Sequence, residues 1–292
     1  MKGIISGLKR MEIHDGDGLR TTVFFKGCPL KCIWCHNPES LSPKPQIAFF
    51  KEKCIECGIC SQACNESAIV RGNILRESCT DCGICAEACP TEALNLYGEE
   101  IDAEKLIDRL MVDAPFWRNG NGGVTLSGGE CLMQPDFAIA LASSLHAKGI
   151  SIDIDTCGFA PQWVFDAILP YTDTFLYDIK AISDTLHRKC TGVSNALILS
   201  NLRHLSDKDS KIEIRIPLVK GYNDGEIPSI GDFLSGINGV KMVKVLKYHS
   251  FSASRYTALG IPCRLPDALT AQNDIDNAVN TLRSFGLNAV SG

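Results

Sequence analysis

The chain has 292 residues, 45% of them hydrophobic and 22% charged, with a formal net charge of −5 at pH 7; this is ordinary globular material, long enough for one large domain or two unequal ones. The acidic balance argues against a broad nucleic-acid or anionic-membrane surface, whose affinity comes from Lys and Arg. No apolar run reaches the roughly 18 residues of a membrane span, and the start Met1–Leu8 is too short and interrupted for a secretory core, so a cytoplasmic protein is expected.

In chain order, the first predicted strand is Thr21–Phe25, and it leads into Gly27-Cys28-Pro29-Leu30-Lys31-Cys32-Ile33-Trp34-Cys35-His36. Three closely spaced thiolates with no fourth in their group leave one position of a metal centre open, and an open position is where a substrate binds. Ser42-Pro43-Lys44-Pro45 and Tyr97-Gly98-Glu99-Glu100 are both turn-like. Residues 46–98 therefore read as a small domain inserted into a larger one made of 1–45 and 99–292. Inside the insert, Cys54-x2-Cys57-x2-Cys60-x3-Cys64 is repeated 25 residues later as Cys79-x2-Cys82-x2-Cys85-x3-Cys89, with Gly-Ile before the third cysteine of each copy. A zinc site needs one set of four cysteines. Eight in duplicated three-plus-one spacing fit two four-iron clusters and match the bacterial ferredoxin run, in which the fourth cysteine of each copy serves the other cluster. On that match Cys54, Cys57, Cys60 and Cys89 form one set, and Cys79, Cys82, Cys85 and Cys64 the other.

Eleven of the fifteen cysteines thus fall in tight groups, the pattern of metal ligation in a reducing compartment. Cys131, Cys157, Cys190 and Cys263 are scattered and read as packed thiols.

Beyond the insert, strands are predicted at Gly123–Leu126, Ser151–Ile154, Thr174–Tyr177, Lys211–Ile216 and Val240–Leu246. Amphipathic helices alternate with them at Asp102–Val112, Asp136–Lys148, Pro161–Leu169, Asn195–Leu205 and Ala271–Phe285. Asp102 and Asp136 read as N-caps, Gly149 closes the Asp136–Lys148 helix, and Gly286 closes the last one. Alternating β and α units imply an α/β fold with a parallel sheet, barrel-like or doubly wound. The polar motifs follow strands: Ser127-Gly128-Gly129-Glu130, Asp155-Thr156-Cys157-Gly158, Asp178-Ile179-Lys180, Arg215 with Pro217, and Tyr248-His249. Ligands of such sheets bind at the carboxyl ends of the strands, so these motifs and the cysteine loop are expected at one mouth.

The Cys28-x3-Cys32-x2-Cys35 spacing, with an aromatic residue before the last cysteine, resembles the signature of radical S-adenosylmethionine (SAM) enzymes. The resemblance is closer to the activating enzymes of glycyl radical enzymes, the pyruvate formate-lyase activating group. It runs through His14-Asp15-Gly16-Asp17-Gly18-Leu19-Arg20, Trp34-Cys35-His36-Asn37-Pro38-Glu39-Ser40, Gly122–Glu130, Asp155–Gly158, Asp178–Lys180, Arg215–Leu218 and Tyr248-His249. Asp17, Cys131, Cys157 and Lys247 depart from the usual residues at their positions.

The resemblance implies a partial (β/α)6 TIM-like barrel carrying a small α+β bacterial-ferredoxin-like insertion. It implies a catalytic [4Fe–4S] cluster on Cys28, Cys32 and Cys35, three such clusters in all, and SAM contacts from Trp34, Cys35, His36, Gly128, Gly129, Glu130, Asp155, Asp178, Ile179, Lys180, Arg215 and His249. A monovalent cation would sit at Asp155, Thr156 and Asp178. The implied partner is a glycyl radical enzyme offering its C-terminal glycyl loop, and the reductant a flavodoxin or ferredoxin. No nucleic acid or membrane partner is implied.

Charge chemistry runs parallel. SAM's carboxylate favours a cation, and Lys180 and Arg215 are the cations at strand ends; its amino group favours acceptors such as the backbone of the Glu130 turn. Asp155 and Asp178 either hold a hard cation or pair with Lys180 and Arg215. Two rivals remain: an iron-sulfur electron carrier, which gives no reason for the three-cysteine loop, and a radical SAM enzyme acting on a small molecule or another peptide.

Overall fold

The computed structural model describes residues 1–70 and 73–292; residues 71 and 72, within the predicted insert, lie outside the described residues. The main sheet has nine strands: β1 (Lys2–Glu12), β2 (Arg20–Phe25), β3 (Glu99–Asp102), β4 (Gly123–Gly128), β5 (Ser151–Thr156), β6 (Thr174–Asp178), β7 (Ile212–Leu218), β8 (Val240–Lys247) and β9 (Ala289–Ser291). Their order is β9-β8-β7-β6-β5-β4-β2-β1-β3. From β2 to β9 every pairing is parallel, whereas β1 runs antiparallel to both β2 and β3. The sheet is open, with β9 and β3 at its edges.

The period-two pattern separates the faces. In β7, Ile212, Ile214 and Ile216 join the apolar core, and Glu213, Arg215 and Pro217 alternate with them. In β5 the core takes Ile152 and Ile154 while Asp153 and Asp155 alternate. Helices Ala103–Met111, Pro135–His146, Gln162–Ile168, Ala196–Asp207, Ile227–Ser235 and Gln272–Ser284 supply the other half of this core, through Leu106, Leu141, Phe165, Leu202, Ile230 and Leu282 among others. Each such side chain contributes about 1.5–3 kcal/mol on burial. The helices thus take the apolar side of the strands and leave the polar side to the interior of the open barrel.

All six predicted strands are present. The sequence pattern missed β1, β3 and β9. Gly3 and Gly7 interrupt β1, Glu99, Glu100 and Asp102 make β3 largely polar, and β9 has three residues. One predicted cap is corrected: Gln134 precedes the second long helix, Pro135 occupies its first position and Asp136 lies in its first turn, where its charge suits the helix N-terminus. Asp102 stands at an N-cap position without a side-chain capping bond.

The segment after β2 leaves and returns through an antiparallel ribbon, Gln46–Phe49 against Leu94–Tyr97. It carries two short helices, Ile59–Ala63 and Ile84–Glu87, each entered through a glycine in the left-handed region, Gly58 at φ 76° and Gly83 at φ 87°. A side chain there would be strained, which explains the repeated Gly-Ile. At the base of the ribbon the fully buried Lys26 ammonium donates to the Glu39 carbonyl at 2.6 Å and to Gln46 Oε1 at 3.3 Å. Burial pulls it down to about 8.

Candidate active site

The carboxyl ends of β2 and β4–β8 border one cavity of about 980 Å³. Cys28, Cys32, Cys35, Trp34, His36, Gly128, Gly129, Asp155, Thr156, Asp178, Lys180, Arg215 and His249 all line it.

The cysteine loop is built from backbone contacts to several elements. Gly27 N–H donates to Ser40 O at 2.8 Å, Lys31 N–H to Thr191 O at 2.8 Å, and Ile33 N–H to Cys190 O at 3.0 Å. Trp34 is buried against Cys190, Val219 and Tyr248. The Cys28 thiol is held below its ordinary value by a hydrogen bond with Cys157, against the opposing effect of burial. Burial pushes Cys32 and Cys35 up, Cys35 to about 11. Thiolates so placed need a cation close by, and a metal supplies one. Three unbridged thiols on one cavity wall therefore fit three corners of a cubane cluster, each thiolate on its own iron. Among the described residues no three His, Cys, Asp or Glu side chains converge on a position for a single metal ion.

The charges line the same cavity. Lys180 Nζ is 2.7 Å from Asp178 Oδ2. Burial alone would lower its ammonium, but Asp178, Cys32 and Cys157 outweigh that and hold it above the ordinary lysine value. Arg215 is also buried, with Nη1 3.3 Å from Asp15 and 3.7 Å from Asp155, Nε 3.3 Å from Glu213, and Nη2 donating to His14 O at 2.7 Å. Burial lowers this guanidinium, and Asp155, Asp15 and Glu213 more than reverse it. Burial pushes Asp155 up to about 7, opposed by Arg215, and Ser127 Oγ donates to its Oδ2 at 2.5 Å. Both aspartates are therefore engaged with the cations at the strand ends.

The glycine pair after β4 is required sterically. Gly128 has φ 121° and a Cβ on it would lie 2.1 Å from Phe25 N; one on Gly129 would lie 2.3 Å from Gly27 O. Only bare backbone fits against the end of β2. Next to Cys35, His36 and His249 stack with ring centroids 4.1 Å apart, and His36 Nε2 lies 2.8 Å from His249 O. Burial pulls His36 down to about 4, so its ring is neutral near pH 7.

Two predicted contact residues do not reach the cavity. Glu130 is buried and its carboxylate accepts from Cys157 N–H at 2.7 Å, Thr156 Oγ1 at 2.9 Å and Leu132 N–H at 3.1 Å. It clamps the turn after β5 to the turn after β4. The Ile179 side chain is packed in the core and its N–H donates to Arg215 O at 2.9 Å. Sequence reading placed Ser127 and Asp15 within motifs but gave them no contact, and passed over Glu213. Glu213 was accessible by periodicity, since it stands two residues before Arg215 on a strand and so shares its face.

In the insert, Cys54, Cys57, Cys60 and Cys89 line one cavity of about 180 Å³. Burial pushes Cys85 up to about 11, and the nearby Cys79, Cys64 and Cys82 add to that. Each group of four thus includes one cysteine from the other repeat. Backbone amides point at two of the sulfurs, Ala68 N–H to Cys64 Sγ at 3.3 Å and Glu56 N–H to Cys54 Sγ at 3.4 Å, the contacts that iron-sulfur ligands accept.

Residues 22–234 match the Radical SAM superfamily. The chain is 41% identical over 265 residues to the trans-4-hydroxy-L-proline dehydratase activating enzyme of Clostridioides difficile, covering 88% of this chain and 87% of that one. It is 39% identical over 271 residues to the choline trimethylamine-lyase activating enzyme of Oleidesulfovibrio alaskensis, covering 89% and 87%. Among solved structures, a domain of the pyruvate-formate lyase-activating enzyme from Bacteroides vulgatus superposes with a TM-score of 0.51 at 27% identity, covering 59% of this chain and 99% of that one.

Proposed function

The chain belongs to the radical SAM superfamily and, within it, to the activating enzymes of glycyl radical enzymes, and we propose that Cys28, Cys32 and Cys35 hold its catalytic cluster. It is an oxidoreductase that activates a partner glycyl radical enzyme. A cluster held there would supply the electron that breaks the sulfonium C–S bond of SAM, giving methionine and a 5′-deoxyadenosyl radical, whose abstraction of a hydrogen atom from a backbone glycine of the partner would leave 5′-deoxyadenosine and a glycyl radical. The observation that carries the residue assignment is the meeting of three unbridged cysteines with Gly128, Gly129, Lys180 and Arg215 in one cavity.

The chain's own residues then bind and orient. Lys180 and Arg215 attract the carboxylate of SAM. The bare backbone at Gly128 and Gly129 accepts its amino group. The His36–His249 stack forms part of the cavity wall. Four carboxylates, Asp15, Asp155, Asp178 and Glu213, face these two cations. Lys244 also pairs with Glu213 at 3.0 Å, and the negative charge that remains supports a monovalent cation beside Asp155, Thr156 and Asp178, and equally favours the sulfonium.

The two crossed sets of insert cysteines support two further [4Fe–4S] clusters, three in all. Cys57 is exposed, which supports electron entry from a flavodoxin or ferredoxin. No helix among the described residues is long and apolar enough to cross a membrane, and the grouped thiols support a reducing, cytoplasmic setting. The two relatives at 41% and 39% identity carry different partners in their names, so identity at this level selects none.

The test is anaerobic. Reconstituted protein given dithionite and SAM should release 5′-deoxyadenosine and, with its partner, produce a glycyl radical by electron paramagnetic resonance. Failure of both would remove the reading.

A further inference from the structure

The helix Ala253–Leu259 touches the cysteine loop on one side and the insert on the other. Toward the loop, Ser252 Oγ and Tyr256 Oη both donate to the carbonyl of Cys35, at 3.1 and 3.2 Å, and both donors are buried, at 0% and 6% exposure. Arg255 Nη1 adds contacts to Glu39 Oε1 at 2.5 Å and Asn37 Oδ1 at 3.4 Å, just beyond the last cysteine. Toward the insert, Ala258 and Leu259 pack on Ala48 of the strand Gln46–Phe49. Arg76 bridges the two, its Nη1 on Ile47 O at 2.6 Å and its Nη2 on Ala258 O at 3.3 Å. The same strand is pinned to the second cysteine set, because Ile47 N–H donates at 2.8 Å to Asp81, which stands between Cys79 and Cys82.

These contacts form one continuous line: the Cys79–Cys82 turn, Asp81, Ile47, Arg76, Ala258, Tyr256, Cys35. A cysteine-rich turn is rigid only while metal holds it, since binding free energy is folding free energy in such segments. We propose that the insert braces the catalytic cysteine loop through this helix, with Tyr256 and Ser252 as positioning residues for Cys35, so that metal loading of the Cys79/Cys82/Cys85/Cys64 set stiffens the loop of Cys28, Cys32 and Cys35. The inference rests on the reading of both cysteine groups as cluster ligands. It gives the insert a structural influence on the catalytic centre, whatever electrons it carries.

The test uses reconstituted holoenzyme and four variants: Ser252→Ala with Tyr256→Phe, Tyr256→Phe alone, Arg76→Gln, and Cys82→Ser. Two readouts are taken: hydrogen exchange over residues 28–41, and the electron paramagnetic resonance signal of the reduced protein that responds to SAM. Loss of the two donors should raise exchange over 28–41 about tenfold, the change expected from about 1.4 kcal/mol of lost hydrogen bonding. Cys82→Ser should raise it similarly although it leaves the catalytic loop untouched. Arg76→Gln, which keeps every cysteine, should raise it several-fold, and it remains decisive if Cys82→Ser does not fold. The SAM-induced change of the signal should weaken in the same order, and Tyr256→Phe alone, with Ser252 intact, should keep part of it. Native exchange and a native SAM response in both Arg76→Gln and Cys82→Ser would overturn the inference while leaving the cluster assignment standing. Absence of any SAM-responsive signal in the unaltered protein would overturn that assignment and the inference with it.

Discussion

The insert and the loop after β2 present thiols in opposite settings. In the insert, eight cysteines divide into two sets of four on a thin scaffold, and Cys57 and Cys82 are exposed. In the loop, Cys32 packs beside Trp34 and Tyr248, and all three cysteines share the wall of one cavity with Lys180. A complete ligand set leaves iron nothing to bind and suits storage or passage of electrons; an incomplete set in a walled cavity suits a substrate. The difference lies in ligand number and surroundings rather than in the ligand type, which is cysteine in both.

The largest expected effect separates the two regions outright. Cys32→Ala should abolish SAM cleavage while the spectra of the insert clusters persist; cleavage that survives would erase the distinction. Lys180→Ala should weaken SAM binding about tenfold to hundredfold, the equivalent of a charge-assisted hydrogen bond of about 1.5–3 kcal/mol. Equilibrium binding measures it, and unchanged affinity would take Lys180 out of the site. Cys57→Ser should leave SAM affinity unaltered and slow reduction of the catalytic cluster several-fold in rapid-mixing experiments; an unaltered rate would make the insert a scaffold only. Native protein in the same experiments should carry about twelve irons, four per cluster, and a count near four would remove the insert clusters.

The smallest effect concerns how the barrel is held. Arg20 and Asp153, both buried, lie 3.3 Å apart behind the site. Burial pushes Asp153 up to about 7 against the pull of Arg20. The folded state therefore takes up a proton near neutrality that the unfolded chain takes up only near pH 4. Stability contributed by this group should grow as pH falls, by about 1 kcal/mol between pH 8 and pH 6. Asp153→Asn should flatten that trend in anaerobic urea titrations, and an unflattened trend would assign it to other groups.

The strands, the cysteine groups and the clustering of motifs at strand ends were legible because each rests on short-range pattern: period two, fixed cysteine spacing, Gly-Gly pairs. What was not legible depends on contacts distant in sequence. Arg215 reads as a SAM-carboxylate partner or a partner of Asp155 or Asp178, yet Asp15 also reaches it from 200 residues away. Glu130 reads as a rim residue, yet its carboxylate turns inward to serve Thr156 and Cys157. Tyr256 stands in no motif and is found only when Cys35 is followed to its hydrogen-bond partners. The edge strand β3 and its neighbour β1 escaped because their polar or glycine-rich residues are recruited by neighbours rather than by their own propensity.

Lys26 shows what joins the two regions at their seam. Its sealed ammonium has one acceptor in the catalytic loop and the other in Gln46, the first residue of the insert. A shortened chain with 46–98 cut away would strand half of that amine's hydrogen bonding two residues before Cys28. The inserted segment is for this reason not a detachable cassette: trimming it calls for an apolar replacement at Lys26 as well.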